Sequence, residues 1–131
     1  PVEINHGDTH IAFSPSFIFN NSFNFNYNNF DLLLSTQYVS KQYMTNAEYE
    51  DQVLDAYCVS NLHLGYNFKL PHTKSVRIGF SIYNLFDEEY ENNGYAGGGY
   101  YVDGGEKVFY RYSGYAAQAG TNFMGSVSFK F

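Results

Sequence analysis

The sequence predicts an all-β protein, a wall of a transmembrane antiparallel β-barrel, and three observations carry that expectation. Large apolar side chains recur at every second position through several stretches, the period of a strand whose two faces meet different media. Composition agrees. The chain has 14 Tyr and 13 Phe, an aromatic share of 21%, and only 15% charged residues, well below the quarter usual in water-soluble domains. Mean hydropathy is −0.37, so the apolar residues are segregated by face and not gathered into greasy segments. The third observation is spacing. The alternating stretches run about ten to fifteen residues against the five or six of ordinary sheets, and shorter linkers alternate with longer ones, as in an outer-membrane barrel.

The first stretch spans about residues 10–19, where Ile11, Phe13, Phe17 and Phe19 share a face that Pro15 interrupts; Pro is confined to strand starts, edges and bulges. NNSFNFNYNN follows and reads as an Asn-rich turn. The second stretch, about 30–43, sets Phe30, Leu32, Leu34, Thr36 and Tyr38 against Asp31, Ser35, Gln37 and Lys41. After the polar segment TNAEYEDQ comes the third, about 54–68, with Leu62, Leu64, Tyr66 and Phe68 alternating with Asn61, His63, Gly65 and Asn67. KLPHTK reverses the chain, its Pro71 suiting a turn. The fourth stretch, about 75–86, sets Val76, Ile78, Phe80 and Ile82 against Arg77, Gly79, Ser81 and Tyr83. A long Gly- and Tyr-rich loop, 87–120, leads to the fifth, 121–131, where Phe123, Val127, Phe129 and Phe131 share one face.

Several function classes are disfavoured. A net charge of −6 without any basic cluster argues against nucleic acid, which demands Lys and Arg for its phosphates. No run approaches the length of an apolar membrane helix. No nucleophile elbow or H-E-x-x-H occurs, so the expectation is a protein that is no enzyme and has no resident cofactor. The single Cys58 has the parity of the apolar face and reads as a small packed or lipid-facing residue. A soluble sandwich would also alternate, but it calls for charged outer faces and charged edges, and few charges fall in these stretches.

At SIYNLFDEEYENNGY the chain resembles the penultimate strand and following loop of TonB-dependent outer-membrane receptors, often V-N-N-L-F-D-x-x-Y. Ile82, Asn84, Leu85, Phe86, Asp87 and Tyr90 match, and Tyr83 replaces the first Asn. The tail is similar to the family's last strand, often Pro-Gln-Ala-Gly-Arg-Asn-Phe: Gln118, Ala119, Gly120, Asn122 and Phe123 match, with Ala117 and Thr121 departing. LDAYCVSNLHLGYNF is similar to the preceding strand. Phe123, Val127, Phe129 and Phe131 also resemble the terminal signal read by the barrel assembly machinery, with Gly125 a departure.

The resemblance implies a 22-stranded barrel with an N-terminal plug, of which this chain supplies about five C-terminal strands. It implies active import of a scarce nutrient such as a ferric siderophore, haem or cobalamin across the bacterial outer membrane, energised through a TonB contact ahead of the plug. Five strands cannot close a barrel. The remaining barrel and the plug are therefore expected in a second chain or in sequence beyond these residues. Loop 87–120 and TNAEYEDQ then face outward, NNSFN and KLPHTK the periplasm, and Asp31, Lys41, Asn61, His63 and Arg77 the lumen. A structural or adhesive barrel without transport and a soluble binding module are the alternatives.

Two stretches offer chemistry. In the long loop, Tyr95, Tyr100, Tyr101, Tyr110 and Tyr112, with Asp103 and Arg111, can line a mouth for an extracellular small-molecule ligand, since Tyr offers a flat apolar face and a polar tip. In HGDTH, His6, Asp8 and His10 fall at alternate positions and are weak metal-ligand candidates, a plain polar loop being the simpler reading.

Overall fold

Alternation builds strands where the sequence carries it furthest. A computed structural model describes residues 7–131, and among these the chain forms nine strands and no helix. They are β1 (Ile18–Tyr27), β2 (Phe30–Val39), β3 (Gln42–Tyr43), β4 (Val53–Leu54), β5 (Tyr57–Phe68), β6 (Ser75–Tyr83), β7 (Glu91–Asp103), β8 (Glu106–Ala117) and β9 (Asn122–Lys130). The protein is all-β, as expected. No helix among the described residues is long and apolar enough to cross a membrane.

The chain divides into two compact units. The first comprises Ile18–Tyr38, Cys58–Glu89 and Ala119–Phe131, and it holds a five-stranded sheet in the order β1-β2-β5-β6-β9. Its register joins like with like. Leu64 lies opposite Phe80, Tyr66 opposite Ile78 and Phe68 opposite Val76; Ile78 then lies opposite Val127, Ile82 opposite Phe123 and Val76 opposite Phe129. One face across β5, β6 and β9 is therefore apolar. The other carries His63 with Ser81, Gly65 with Gly79, and Asn67 with Arg77 and Ser128. Most of the apolar face has no cover among the described residues: Ile78 is 46% exposed, Phe80 42% and Val127 58%.

On the polar face Arg77 of β6 reaches over β5 to Asp31 of β2. Its two Nη groups donate to the two carboxylate oxygens at 2.7 and 2.9 Å. Gly65 makes the crossing possible, because a Cβ there would lie 2.2 Å from Arg77 Nη2. Of the expected inward-facing polar residues, Asp31, Asn61, His63 and Arg77 lie on strands of this sheet, whereas Lys41 falls beyond the end of β2.

The strand boundaries differ from expectation in identifiable places. The strand expected at 10–19 is replaced by β1, displaced toward the C-terminus. Ser14 N–H closes a turn onto the Ile11 carbonyl, with Phe13 at φ 56°, and a strand cannot pass through that conformation. NNSFNFNYNN is strand, not turn. Phe23, Phe25 and Tyr27 alternate with Ser22, Asn24 and Asn26, and the turn shrinks to the residues between β1 and β2, where Asn28 takes φ 50°. The stretch expected at 30–43 breaks after Val39, because Ser40 N–H turns to the Phe17 carbonyl at 2.9 Å. β6 stops at Tyr83 because Asn84 turns left-handed, at φ 53°.

Asn84 is the centre of a clasp. It is 4% exposed, and its side chain donates to the carbonyls of Glu88 and Ala119 and accepts from Glu88 N–H. Its own N–H donates to Asn61 Oδ1, and its carbonyl accepts from the Thr121 hydroxyl. Asp87, at φ 55°, accepts from Thr121 N–H at 2.9 Å. Asn and Asp tolerate this left-handed backbone better than other side chains. The clasp joins the end of β6 to the start of β9, so the two strands pair although a long excursion separates them.

Two predictions follow from these contacts. Asn84→Ala should lower unfolding stability by about 2–4 kcal/mol, since it strands several buried partners and loses a residue suited to positive φ. Asn84→Gly should be nearly as damaging, and chemical denaturation compares the two; an innocuous Asn84→Gly would show that conformation alone matters. In a double-mutant cycle, Gly65→Val and Asp31→Asn should each lower the thermal midpoint, and the second change should add little to the first. Full additivity would mean that Gly65 does not serve the Arg77–Asp31 bridge, a half-exposed pair worth roughly 1 kcal/mol or less.

Candidate functional site

The second unit comprises 7–17, Val39–Tyr57 and Tyr90–Gln118. Its main feature is a long hairpin, β7–β8, within the stretch expected to be an irregular loop. Asp103-Gly104-Gly105-Glu106 turns it: Asp103 pairs with Glu106, and Gly104 and Gly105 take φ 58° and 88°. Two consecutive positive φ values are what a tight hairpin turn with the native strand twist requires.

The hairpin is anchored by short strands. β3 and β4 pair through Gln42 with Leu54 and Tyr43 with Val53. Met44 and Leu54, 4% and 0% exposed, pack against Gly94, where a Cβ would meet Met44 Sδ at 2.6 Å. Beside them the buried Gln52 side chain donates to the carbonyls of Gly97 and Tyr112, at 2.9 and 3.0 Å, and accepts from the Thr45 hydroxyl. Gln52 thus pins both hairpin strands. Tyr115 adds a hydrogen bond from its hydroxyl to the Asp51 carbonyl.

The register divides the seven expected ligand residues between two faces. Tyr95, Tyr101 and Asp103 of β7 share one face with Tyr110 and Tyr112 of β8. There each of three tyrosines covers a glycine directly opposite: Tyr95 over Gly114, Tyr112 over Gly97 and Tyr110 over Gly99. A Cβ at Gly114 would lie 2.2 Å from the Tyr95 ring, and one at Gly97 2.5 Å from the Tyr112 hydroxyl. The rings therefore lie down on the sheet. Tyr110 and Tyr112 have centroids 6.4 Å apart and planes inclined by 22°, and Tyr101 follows Tyr110 at 6.0 Å.

Tyr100 and Arg111 occupy the opposite face. Tyr100 lies against Phe109 at 5.0 Å. The Arg111 guanidinium sits 4.4 Å over the Tyr49 ring and 3.4 Å from Asp51. A cavity of about 190 Å³ opens there, lined by Thr45, Tyr49, Gln52, Gly98, Phe109 and Arg111, among others. Tyr49 and Gln52 were not expected to take part, and nothing in TNAEYEDQ marks Gln52 as buried.

Of the metal candidates, His6 lies outside the described residues. His10 directs Nδ1 to Glu48 Oε1 at 2.6 Å, and the same oxygen accepts from His10 N–H. Among the described residues no three His, Cys, Asp or Glu side chains gather as a metal site. Of the assembly-signal residues, Phe123, Val127 and Phe129 lie on the apolar face of β9, and Phe131 follows the strand with its ring 6.4 Å from Phe129.

Comparison with protein-family models, curated proteins and solved structures finds no match.

The His10–Glu48 contact carries a pH prediction. The His10 backbone N–H first, and its side chain next, hold the Glu48 carboxyl below its ordinary range. A carboxylate whose value is depressed by folding contributes stability above its unfolded value and loses it as pH falls through the folded one. Amide exchange around residues 8–12 should therefore accelerate on acidification below the ordinary Glu range. Glu48→Gln should remove that dependence, and an unchanged acid profile in that variant would assign the transition to another group.

Proposed function

We propose that this chain is a C-terminal wall segment of a bacterial outer-membrane barrel that acts as a TonB-dependent uptake receptor. It imports a scarce nutrient of the ferric siderophore, haem or cobalamin kind. The observation that carries the reading is the apolar face of β5, β6 and β9, on which Tyr66, Ile78, Phe80, Phe123, Val127 and Phe129 are exposed while Val76 is buried. Hydrocarbon is the medium that such a face suits.

The edges support the same reading. β1 and β9 are the outer strands of the sheet and are ten and nine residues long. In lipid each unpaired backbone group costs several kcal/mol, so a bare edge of that length would cost tens. Barrel strands from the rest of the receptor, in another chain or in further sequence, pair with both. The connections support an orientation. β1–β2 and β5–β6 are joined by short turns at one end of the sheet, and the long excursions leave from the other, so the β7–β8 hairpin belongs to the extracellular side. The plug occupies the lumen against the Arg77–Asp31 face, TonB engages ahead of the plug, and the terminal Phe residues address the assembly machinery.

Spin labels test the membrane reading. In the full receptor with Cys58 replaced by Ser, a nitroxide at Phe80→Cys should be relaxed by oxygen and one at Ser81→Cys by a water-soluble nickel chelate. Equal access of the chelate to both would sink the barrel. Energised uptake of radiolabelled ferric siderophore, haem or cobalamin by cells, lost on collapse of the proton gradient, separates a receptor from a purely structural barrel.

A further inference from the structure

We infer that the Tyr95–Tyr112–Tyr110–Tyr101 face of the β7–β8 hairpin binds an extended polycationic peptide, its Lys or Arg side chains seated on successive tyrosines. The contact rests on the hairpin geometry alone; that the peptide arrives from outside the cell rests on the uptake-receptor reading.

Because Gly114, Gly97 and Gly99 leave room for the rings opposite, Tyr95, Tyr112 and Tyr110 lie over the sheet with π surface turned outward, whereas Tyr101 stands opposite Val108 with its ring inclined by 51° to that of Tyr110. The face of an aromatic ring is the negative pole of its quadrupole. Tyr95, Tyr101, Tyr110 and Tyr112 are all exposed. The charged side chains on this face are Asp103 and Glu106, paired at the tip, while Lys107 and Arg111 have the parity of the other face. The formal charges on this surface therefore favour a cation over an anion.

Spacing selects an extended chain. The ring centroids step by 6.4 and 6.0 Å from Tyr112 through Tyr110 to Tyr101. Same-face side chains of an extended peptide recur at about 6.6–6.8 Å, twice the strand rise, so alternate cations meet successive rings. A single exposed cation–π contact gains only roughly two- to fivefold in affinity, too little to retain one small cation. Several in register multiply, and the carboxylates add a salt-sensitive contribution at the tip.

Fluorescence anisotropy on the purified protein, with a labelled octapeptide of alternating Lys and Thr, tests this directly. Binding is expected, weakening as salt rises, with no binding of the matching Glu–Thr peptide. Tyr110→Leu with Tyr112→Leu should weaken it about five- to twentyfold, whereas Tyr110→Phe with Tyr112→Phe should stay within about twofold. Asp103→Asn with Glu106→Gln, at an exposed tip where folding is not at stake, should cost about three- to tenfold and flatten the salt dependence. Failure of the Lys–Thr peptide to bind overturns the inference, as does indifference to the tip and Leu variants. So does equal competition by maltoheptaose, which would make the face a sugar platform. If purified protein binds but intact cells making the receptor do not take up the labelled peptide on their surface, the extracellular placement fails and the peptide site stands.

Discussion

In an antiparallel ladder, each pair of opposed residues shares a face of the sheet. A one-residue slip would move every side chain of a strand to the other face. Here the register of β5, β6 and β9 sets Leu64, Phe80, Ile78, Tyr66 and Val127 together, so one face is apolar without interruption except at Gly125. The polar residues are forced onto the other face, where Arg77 and Asp31 meet over Gly65. That bridge is too exposed to stabilise the sheet much. What it contributes is a fixed order of β2, β5 and β6 on the polar side.

The β7–β8 hairpin solves a different problem with the same period. Large residues on one strand are matched with glycines on the other, so aromatic rings fill the space that the missing side chains leave. One consequence is a smooth aromatic surface. On the opposite face Gly94 lets Met44 and Leu54 approach closely, and the Gln52 side chain reaches the Gly97 carbonyl. Tyr is suited to this use because it brings large contact area with few rotatable bonds.

Buried polar groups hold both units to a single geometry. Asn84 ties the ends of β6 and β9, and Gln52 ties the hairpin strands to the segment that follows β3. Among the described residues no buried side-chain nitrogen or oxygen is left without a partner. Satisfied networks of this kind specify one arrangement, because any alternative would leave a buried donor or acceptor unpaired.

The sequence by itself determined the strand class and the face of most residues in the sheet, because a period of two is a local property that needs no partner to be read. The positions of Leu62 to Phe68 and Val76 to Ile82 were legible for that reason, and the turn at Pro71 was too. Tertiary pairing decided the rest. Asn suits a turn and an alternating strand alike, and it was pairing with β2 that drew the residues from Ile18 to Tyr27 into the sheet. The division of the loop tyrosines into two faces depends on a register set by Gly104 and Gly105. Arg77 meets Asp31 from 46 residues away, and Gln52 reaches Tyr112 from 60. Contacts at such separations leave no periodic trace in the chain, since they arise only once the strands between them have closed.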